Sequence, residues 1–315
     1  MPKIKPFRTY AQQVALLQSR GMLVEDQAGA EHRLATLNYY RLSGYWHTMR
    51  RTDPGTGASL DSFRQGASFD LVVNLYKFDE RLRSAIFADL ARVELALRAL
   101  IGHQLGAIDP LIHLDTAKLG PPAQQLARNS PEMTVHEVWL QKYNSALKTS
   151  KEDFVKHHQS CYEGKLPIWA AVEIMDWGML SHLYRMAPCQ ARDKVASELH
   201  LSAPQLASWL KSLNILRNYA AHHARVFNRS FDIKPKLSQD PRLDIIRPVT
   251  NRAFGQLTLI RYLHHELGLS GLGKLPSALE LFPANKLVPF KRIGAPATWR
   301  DHPLWSAPAT QPSSA

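Results

Sequence analysis

The amino-acid sequence predicts an all-α protein, a helical bundle with extra helices at its N- and C-terminal ends. Three observations carry this expectation. Apolar residues recur at three- and four-residue steps through most of the 315 residues. No stretch carries a convincing β-hairpin signal, and no internal repeat is visible. Proline and glycine gather between the periodic segments and after residue 268 rather than within them.

Taken in order, Thr9 caps a first helix over 10–20, with Val14, Leu16 and Leu17 as its apolar content and Gly21 at its end. A second helix covers 28–37. The segment 38–46, NYYRLSGYW, is dense in aromatics, and 52–66 is rich in Gly, Ser, Thr and Asp and reads as a loop. From 68 to about 105 a stripe of Leu71, Leu75, Phe78, Leu82, Ile86, Leu90, Val93 and Leu97 marks one long helix or a helix pair. Glu94 and Arg98 stand four apart beside that stripe and can pair. Prolines interrupt 108–132. Helical periodicity returns over 135–158, in the apolar run IWAAVEIMDWGMLSHLYRM after Pro167, over 203–228 and over 247–267. The remainder reads as a Pro/Gly-rich extension ending in a disordered tail over 307–315. The expected organisation is an N-terminal helical segment (1–50) packed on a helical core (68–268), followed by the extension (269–315).

Composition narrows the function. The net charge of +12 and a pI near 9.7 favour a polyanionic partner, nucleic acid being the commonest. Two cysteines outside any C-x-x-C pair argue against a disulfide framework or a thiolate zinc site. His103, His113, His136, His157, His158, His264 and His265 do not form a spaced ligand set, and His264-His265 reads as a surface feature. No metal or cofactor is expected. The N-terminal MPKIKPFRTY lacks the apolar core of a signal peptide, and no run is long and apolar enough to cross a bilayer. The expected location is cytoplasmic, without a membrane partner.

The segment 203–229, APQLASWLKSLNILRNYAAHHARVFNR, holds the chemistry. On an ideal helix Leu206, Trp209, Leu210, Leu213, Leu216 and Ala220 share an apolar arc. Lys211, Asn214, Asn218, His222, Arg225 and Arg229 fall opposite, a stripe of cations, amides and an imidazole without an acid. Arg217 lies near the apolar arc, where a guanidinium needs a partner, and Glu94 is a candidate. Arg217 and His222 are five apart, roughly 140° around a helix. Either the helix distorts, or the arginine wraps round, or two copies meet. RNA can be cut by its own 2′-hydroxyl attacking the adjacent phosphate. Histidine can act as acid or base near neutral pH, arginine can neutralise the developing phosphorane charge, and no metal is needed. The spacing alone also fits ordinary polar histidines beside a structural arginine.

Several blocks, in order along the chain, resemble the Abi-like (abortive-infection) family of HEPN-domain proteins. RNYAAHHARVFNR (217–229) is similar to the family's R-N-x-x-A-H-H-x-R-x-x-N-R, matching at Arg217, Asn218, Ala221, His222, His223, Arg225, Asn228 and Arg229. KPFRTYAQQVALLQSRGM (5–22), LNYYRLSGYW (37–46), YKFDERLRSAIFADLARVELALR (76–98) and LPIWAAVEIMDWGMLSHLY (166–184) resemble its other blocks, with Val93 as a departure in the R-V-E triplet. The resemblance covers one unit over about 5–305. It implies an all-helical HEPN-type fold, usually a homodimer with two Arg/His motifs at a shared cleft. It also implies a phage-defence or toxin–antitoxin role, in some relatives under control of a small RNA. On this resemblance His222 is the acid/base, Arg217 the phosphate stabiliser and Asn218 the positioning amide. Lys211, Asn214, His223, Arg225, Asn228 and Arg229 are then RNA-binding residues, and Glu94 and Arg98 support them. A non-catalytic RNA-binding protein of the same fold and a protein-interaction module stand as alternatives. Tyr39, Tyr40, Arg41, Tyr45 and Trp46 could stack bases, although packing is the favoured role for such a cluster. Trp169 and Trp177 read as core.

Overall fold

The computed structural model describes residues 4–306; the expected tail at 307–315 lies outside them. Helix makes up 62% and strand 6%, so the class is all-α. Helix α1 (Tyr10–Ser19) starts at Thr9, whose side chain and that of Gln12 form a reciprocal capping box. Asp26 caps α2 (Gln27–Leu37). Asn38 then takes a left-handed backbone (φ 66°), and its side chain accepts from the Tyr40 amide to open α3 (Tyr39–Trp46). The aromatic block is thus a short helix that buries Leu42, Tyr45 and Trp46.

The segment expected as a loop contains a hairpin, β1 (Arg50–Thr52) against β2 (Ser59–Phe63), antiparallel with an irregular register. Asp53 makes the turn by accepting from the Gly55 and Thr56 amides. Asp61 on β2 pairs with Arg20 and Arg50. These partners lie outside the segment, so its weak alternation concealed them.

Ser68 caps α4 (Phe69–Gly106), one unbroken helix of 38 residues, about 57 Å at 1.5 Å per residue. Of the expected stripe, Leu75, Phe78, Leu82, Ile86, Leu90, Val93 and Leu97 are buried, and Leu71 is half-buried against the core. The other helices pack around this axis. A second small hairpin, β3 (Leu126–Ala127) with β4 (Ser130–Thr134), precedes α5 (Val135–Thr149), which opens on a Thr134–Glu137 capping box. Helix α6 (Asp153–Cys161) follows a break at 150–152, so 135–158 is two helices.

The run after Pro167 is also divided. A single turn, α7 (Ile168–Ala171), passes through a 3-10 turn and ends before α8 (Trp177–Met186). Asp176 caps α8 by accepting from the Met179 amide at 2.7 Å. Trp177 is buried, but Trp169 is half exposed and lies across Gly106 at the end of α4, not in the core. Helix α9 (Cys189–Ser197) leads to α10 (Ala203–Ala221), described below.

Residues 241–249 form a 3-10 stretch containing Pro248, and α11 (Ala253–Glu266) therefore starts later than expected. Helix α11 is buried from Ala253 to His264. His264, expected at the surface, is fully enclosed with its Nε2 2.9 Å from the Asp89 carbonyl, whereas His265 is exposed. Asp89 also accepts from the Lys274 and Leu275 amides, holding the start of α12 (Leu275–Glu280). Beyond α12, Val288, Ile293, Trp299 and Trp305 are buried, and Trp305 stacks on Phe254 of α11 at 5.1 Å.

Candidate nucleic-acid interface

Helix α10 begins at Ser202, which forms a capping box with Gln205, and carries Pro204 in its first turn. Its apolar arc, Leu206, Trp209, Leu210, Leu213, Leu216 and Ala220, is buried. A fully buried aromatic such as Trp209 contributes a few kcal/mol, on the order of 2–3, so this arc fixes which face turns outward. The outward face presents Lys211, Asn218 and His222 exposed and Asn214 half-buried, its amide near Gly178 of α8. At the Lys211 end, burial first and then the charges of Arg185, Lys142 and Lys211, opposed by Asp176, lower the His182 pKa.

The helix stops at Ala221 instead of running to 228. His222 is the C-cap, and His223 adopts a left-handed backbone (φ 53°). The His223 amide donates to the Ala220 carbonyl at 3.2 Å and the Ala224 amide to the Tyr219 carbonyl at 2.9 Å. This is a Schellman ending, with histidine at the position that usually holds glycine. A side chain there costs about 1–2 kcal/mol. The His222 amide donates to the Asn218 carbonyl at 2.9 Å, so the two residues are stacked one turn apart. Asn218, His222 and His223 are all exposed. Arg217 is half-buried, its guanidinium 5.5 Å from the centroid of the Phe87 ring on α4.

The expected partnership of Arg217 with Glu94 does not occur. Glu94 pairs with Arg98 at 2.6 Å, and Arg98 also donates to the Met175 and Glu173 carbonyls. These two residues therefore hold the break between α7 and α8. The acid stands one helical turn from Arg98, which also donates to two backbone carbonyls.

Arg225, Asn228 and Arg229 do not lie on the stripe, because the chain turns away before them. The Arg225 guanidinium donates to the Gly44 carbonyl (2.9 Å), Arg229 donates to the Arg225 carbonyl (2.6 Å), and Asn228 accepts from Arg252 (3.0 Å). Arg229 also covers the Tyr219 ring, 4.3 Å from its centroid. The sequence shows why a straight extrapolation failed. AAHHAR contains neither Gly nor Pro, and nothing local announces the end.

Tertiary contacts impose that end. Arg41 on α3 donates to the His223 carbonyl at 2.6 Å. Asp79 on α4, fully buried, accepts from the Phe227 amide (2.7 Å), the Val226 amide (3.2 Å), the Tyr45 hydroxyl (2.7 Å) and Arg83 (2.5 Å). Burial pushes the Asp79 carboxyl up, and Arg83, Tyr45 and the two amides act against that. Asp79 was not singled out in the sequence, and Arg41 was named only within the aromatic cluster that could stack bases. A charged residue interrupting the apolar stripe beside Phe78 was the available signal.

The result is a cationic surface. Arg41, Arg217, Arg225, Arg229 and Arg252 surround the end of α10, and none forms an ion pair with a carboxylate among the described residues. This excess of guanidinium groups without carboxylate partners suits a polyanion.

The model of the family described as Abi-like protein matches residues 32–228. The chain belongs to the Abi-like family. No curated protein and no solved structure matches it. The Abi-like match runs from α2 through the turn after α10, and so includes Tyr45, Asp79, Arg83 and the motif they hold. Membership points to a role in abortive infection. No group of three or more His, Cys, Asp or Glu that could hold a metal ion occurs among the described residues, and no described helix is long and apolar enough to cross a membrane.

Proposed function

We propose that this Abi-like protein is a HEPN-type ribonuclease of phage defence that cuts RNA through its own 2′-hydroxyl. The observation that carries this reading is the end of α10, where Asn218, His222 and His223 stand exposed among arginines that lack carboxylate partners. In the proposed reaction the 2′-oxygen attacks phosphorus and the 5′-oxygen leaves. His222 moves the proton, Arg217 stabilises the negative phosphorane, and Asn218 orients the phosphate. Arg217 keeps donors available for this, since a ring face beneath it occupies no N–H.

The reading includes a homodimer and, as in some relatives, a small RNA that neutralises the protein. An apolar stripe on α4 supports pairing. Phe87, Ala91 and Leu95 are exposed at four-residue steps, with Arg217 resting on the first of them. A second copy placed there would bring two motifs toward one cleft.

The test is expression of wild type and His222→Ala from a tightly repressed promoter, following growth and total RNA together. Growth arrest with new RNA fragments in the wild type alone is the expected outcome. Equal arrest in both, without fragments, would replace cleavage by RNA binding on the same cationic surface.

A further inference from the structure

We propose that Tyr40 is a stacking platform for an unpaired base beside the cut, flanked by Lys5 and Arg41, so that the substrate is single-stranded at the scissile position. This inference rests on the RNA reading above and names the substrate class for that site.

The aromatic block separates into two kinds of residue. Tyr45 and Trp46 are each 1% exposed, and Tyr39 is half-buried with its ring edge-on to Trp46 at 4.8 Å. These three serve the core. Tyr40 is 65% exposed and contributes little to packing. Its backbone is nevertheless fixed, because Asn38 caps the amide of Tyr40 at 2.8 Å. A ring held on a rigid helix start and left open to solvent is preorganised for a partner.

Its neighbours identify the partner. The Lys5 ammonium sits 5.8 Å from the Tyr40 ring centroid. Arg41, the next residue, donates one N–H to the His223 carbonyl and so ties this corner directly to the residue after His222. Tyr40 and Arg41 are adjacent, with Cα atoms about 3.8 Å apart, so the platform and the tether to the motif leave the same helix turn. Arg41 has five N–H donors, and the contact with His223 leaves others to meet a phosphate. An aromatic face under a lysine ammonium, followed in the chain by an arginine tied to the motif, matches how proteins take single-stranded nucleic acid. Bases stack on the ring while the backbone follows the charges. A duplex hides its base faces and offers the ring nothing to stack on.

The experiment measures binding apart from cutting. Fluorescence anisotropy follows the full-length protein with a 2′-O-methylated oligouridylate, which cannot be cleaved, and with a 2′-O-methylated hairpin duplex. The proteins are wild type, Tyr40→Ala and Tyr40→Trp, each checked for an unchanged melting temperature. Loss of one stacked base predicts single-strand affinity weaker by roughly 5- to 150-fold in Tyr40→Ala. Tyr40→Trp restores it, and duplex binding is unchanged in all three. Equal single-strand affinity in wild type and Tyr40→Ala overturns the platform while leaving the RNA reading standing, as does a loss that Trp does not rescue. Failure of the wild type to bind either RNA overturns the RNA reading itself.

Discussion

Replacing Asp79 by alanine would strand several groups at once. The carboxylate is fully buried and receives Arg83 at 2.5 Å, the Tyr45 hydroxyl at 2.7 Å and the Phe227 and Val226 amides at 2.7 and 3.2 Å. Arg83 is itself 4% exposed, so its charge would be left unpaired in the interior, at a cost of about 3–5 kcal/mol. Each orphaned amide adds about 1–3 kcal/mol when nothing replaces its acceptor, although water entering the gap recovers part of this. A net loss of about 4–6 kcal/mol follows. At about 2–4 °C per kcal/mol for a large domain, the melting temperature falls by roughly 8–24 °C. Asp79→Asn keeps the shape and removes the charge, so it falls between. Thermal unfolding measures the loss, and limited trypsin digestion locates it. In the folded Asp79→Asn protein, cleavage after Arg225 and Arg229 should accelerate more than cleavage elsewhere, because the amides of 226 and 227 lose their anchor. An Asp79→Ala protein melting within about 2 °C of wild type would refute the anchoring role, since that corresponds to about 1 kcal/mol or less. Uniform acceleration of digestion would refute its link to the turn.

His223→Gly should raise the melting temperature by about 2–8 °C, because glycine accepts the left-handed position at no steric cost. In the proposed ribonuclease the same change should weaken RNA binding, and differential scanning with anisotropy reads both effects. A second expectation concerns pH. His113 is fully buried, with no hydrogen-bond partner for either ring nitrogen, against Tyr143 and Trp139. Burial first, and then nearby His136, push its imidazole down to about 4. An unfolded histidine titrates near 6.5, so as pH falls the unfolded chain takes the proton first. The stabilising contribution is complete above about pH 6.5 and is lost toward pH 4, about 3 kcal/mol in all. Urea titrations at pH 7.5 and 4.5 should show His113→Leu flattening this dependence; an identical slope in both proteins would count against it.

Periodicity is a local signal, and it located what is locally determined. The α4 stripe from Leu75 to Leu97 and the α10 arc from Leu206 to Ala220 both follow from side chains three and four apart, and both are buried as the spacing requires. The hairpin at 50–63 is tied to α1 by the Phe63 amide donating to the Arg20 carbonyl, and the break in the run after Pro167 is held by Arg98 reaching the Glu173 and Met175 carbonyls. Neither contact has a signature in its own segment. The end of α10 is the most consequential case. Residues 217–229 read as one helix, yet Arg41 and Asp79, more than 130 positions earlier in the chain, hold its second half in a turn.

That division changes what the matching motif means. A string such as R-N-x-x-A-H-H-x-R-x-x-N-R invites every polar residue to be read as chemistry. In the folded chain its first part and its last part have different duties. Asn218, His222 and His223 face solvent, and Arg217 rests on a ring, so these side chains are free to meet a ligand. Arg225 is committed to Gly44, Arg229 to the Arg225 carbonyl and Tyr219, and Asn228 to Arg252. With the later residues held in this way, the helix stops at Ala221 and leaves the imidazoles at its tip. Had the helix continued, His222 would sit mid-helix, with Arg225 and Arg229 in line along the same face. Ending it there instead brings α3 beside the tip through Arg41, and with α3 comes the exposed ring of Tyr40. The later residues of the motif therefore shape the ligand surface by placing the earlier ones, and substitutions at Arg225 or Asn228 should move stability and binding together, whereas substitutions at Asn218 or His222 should move binding or cleavage alone.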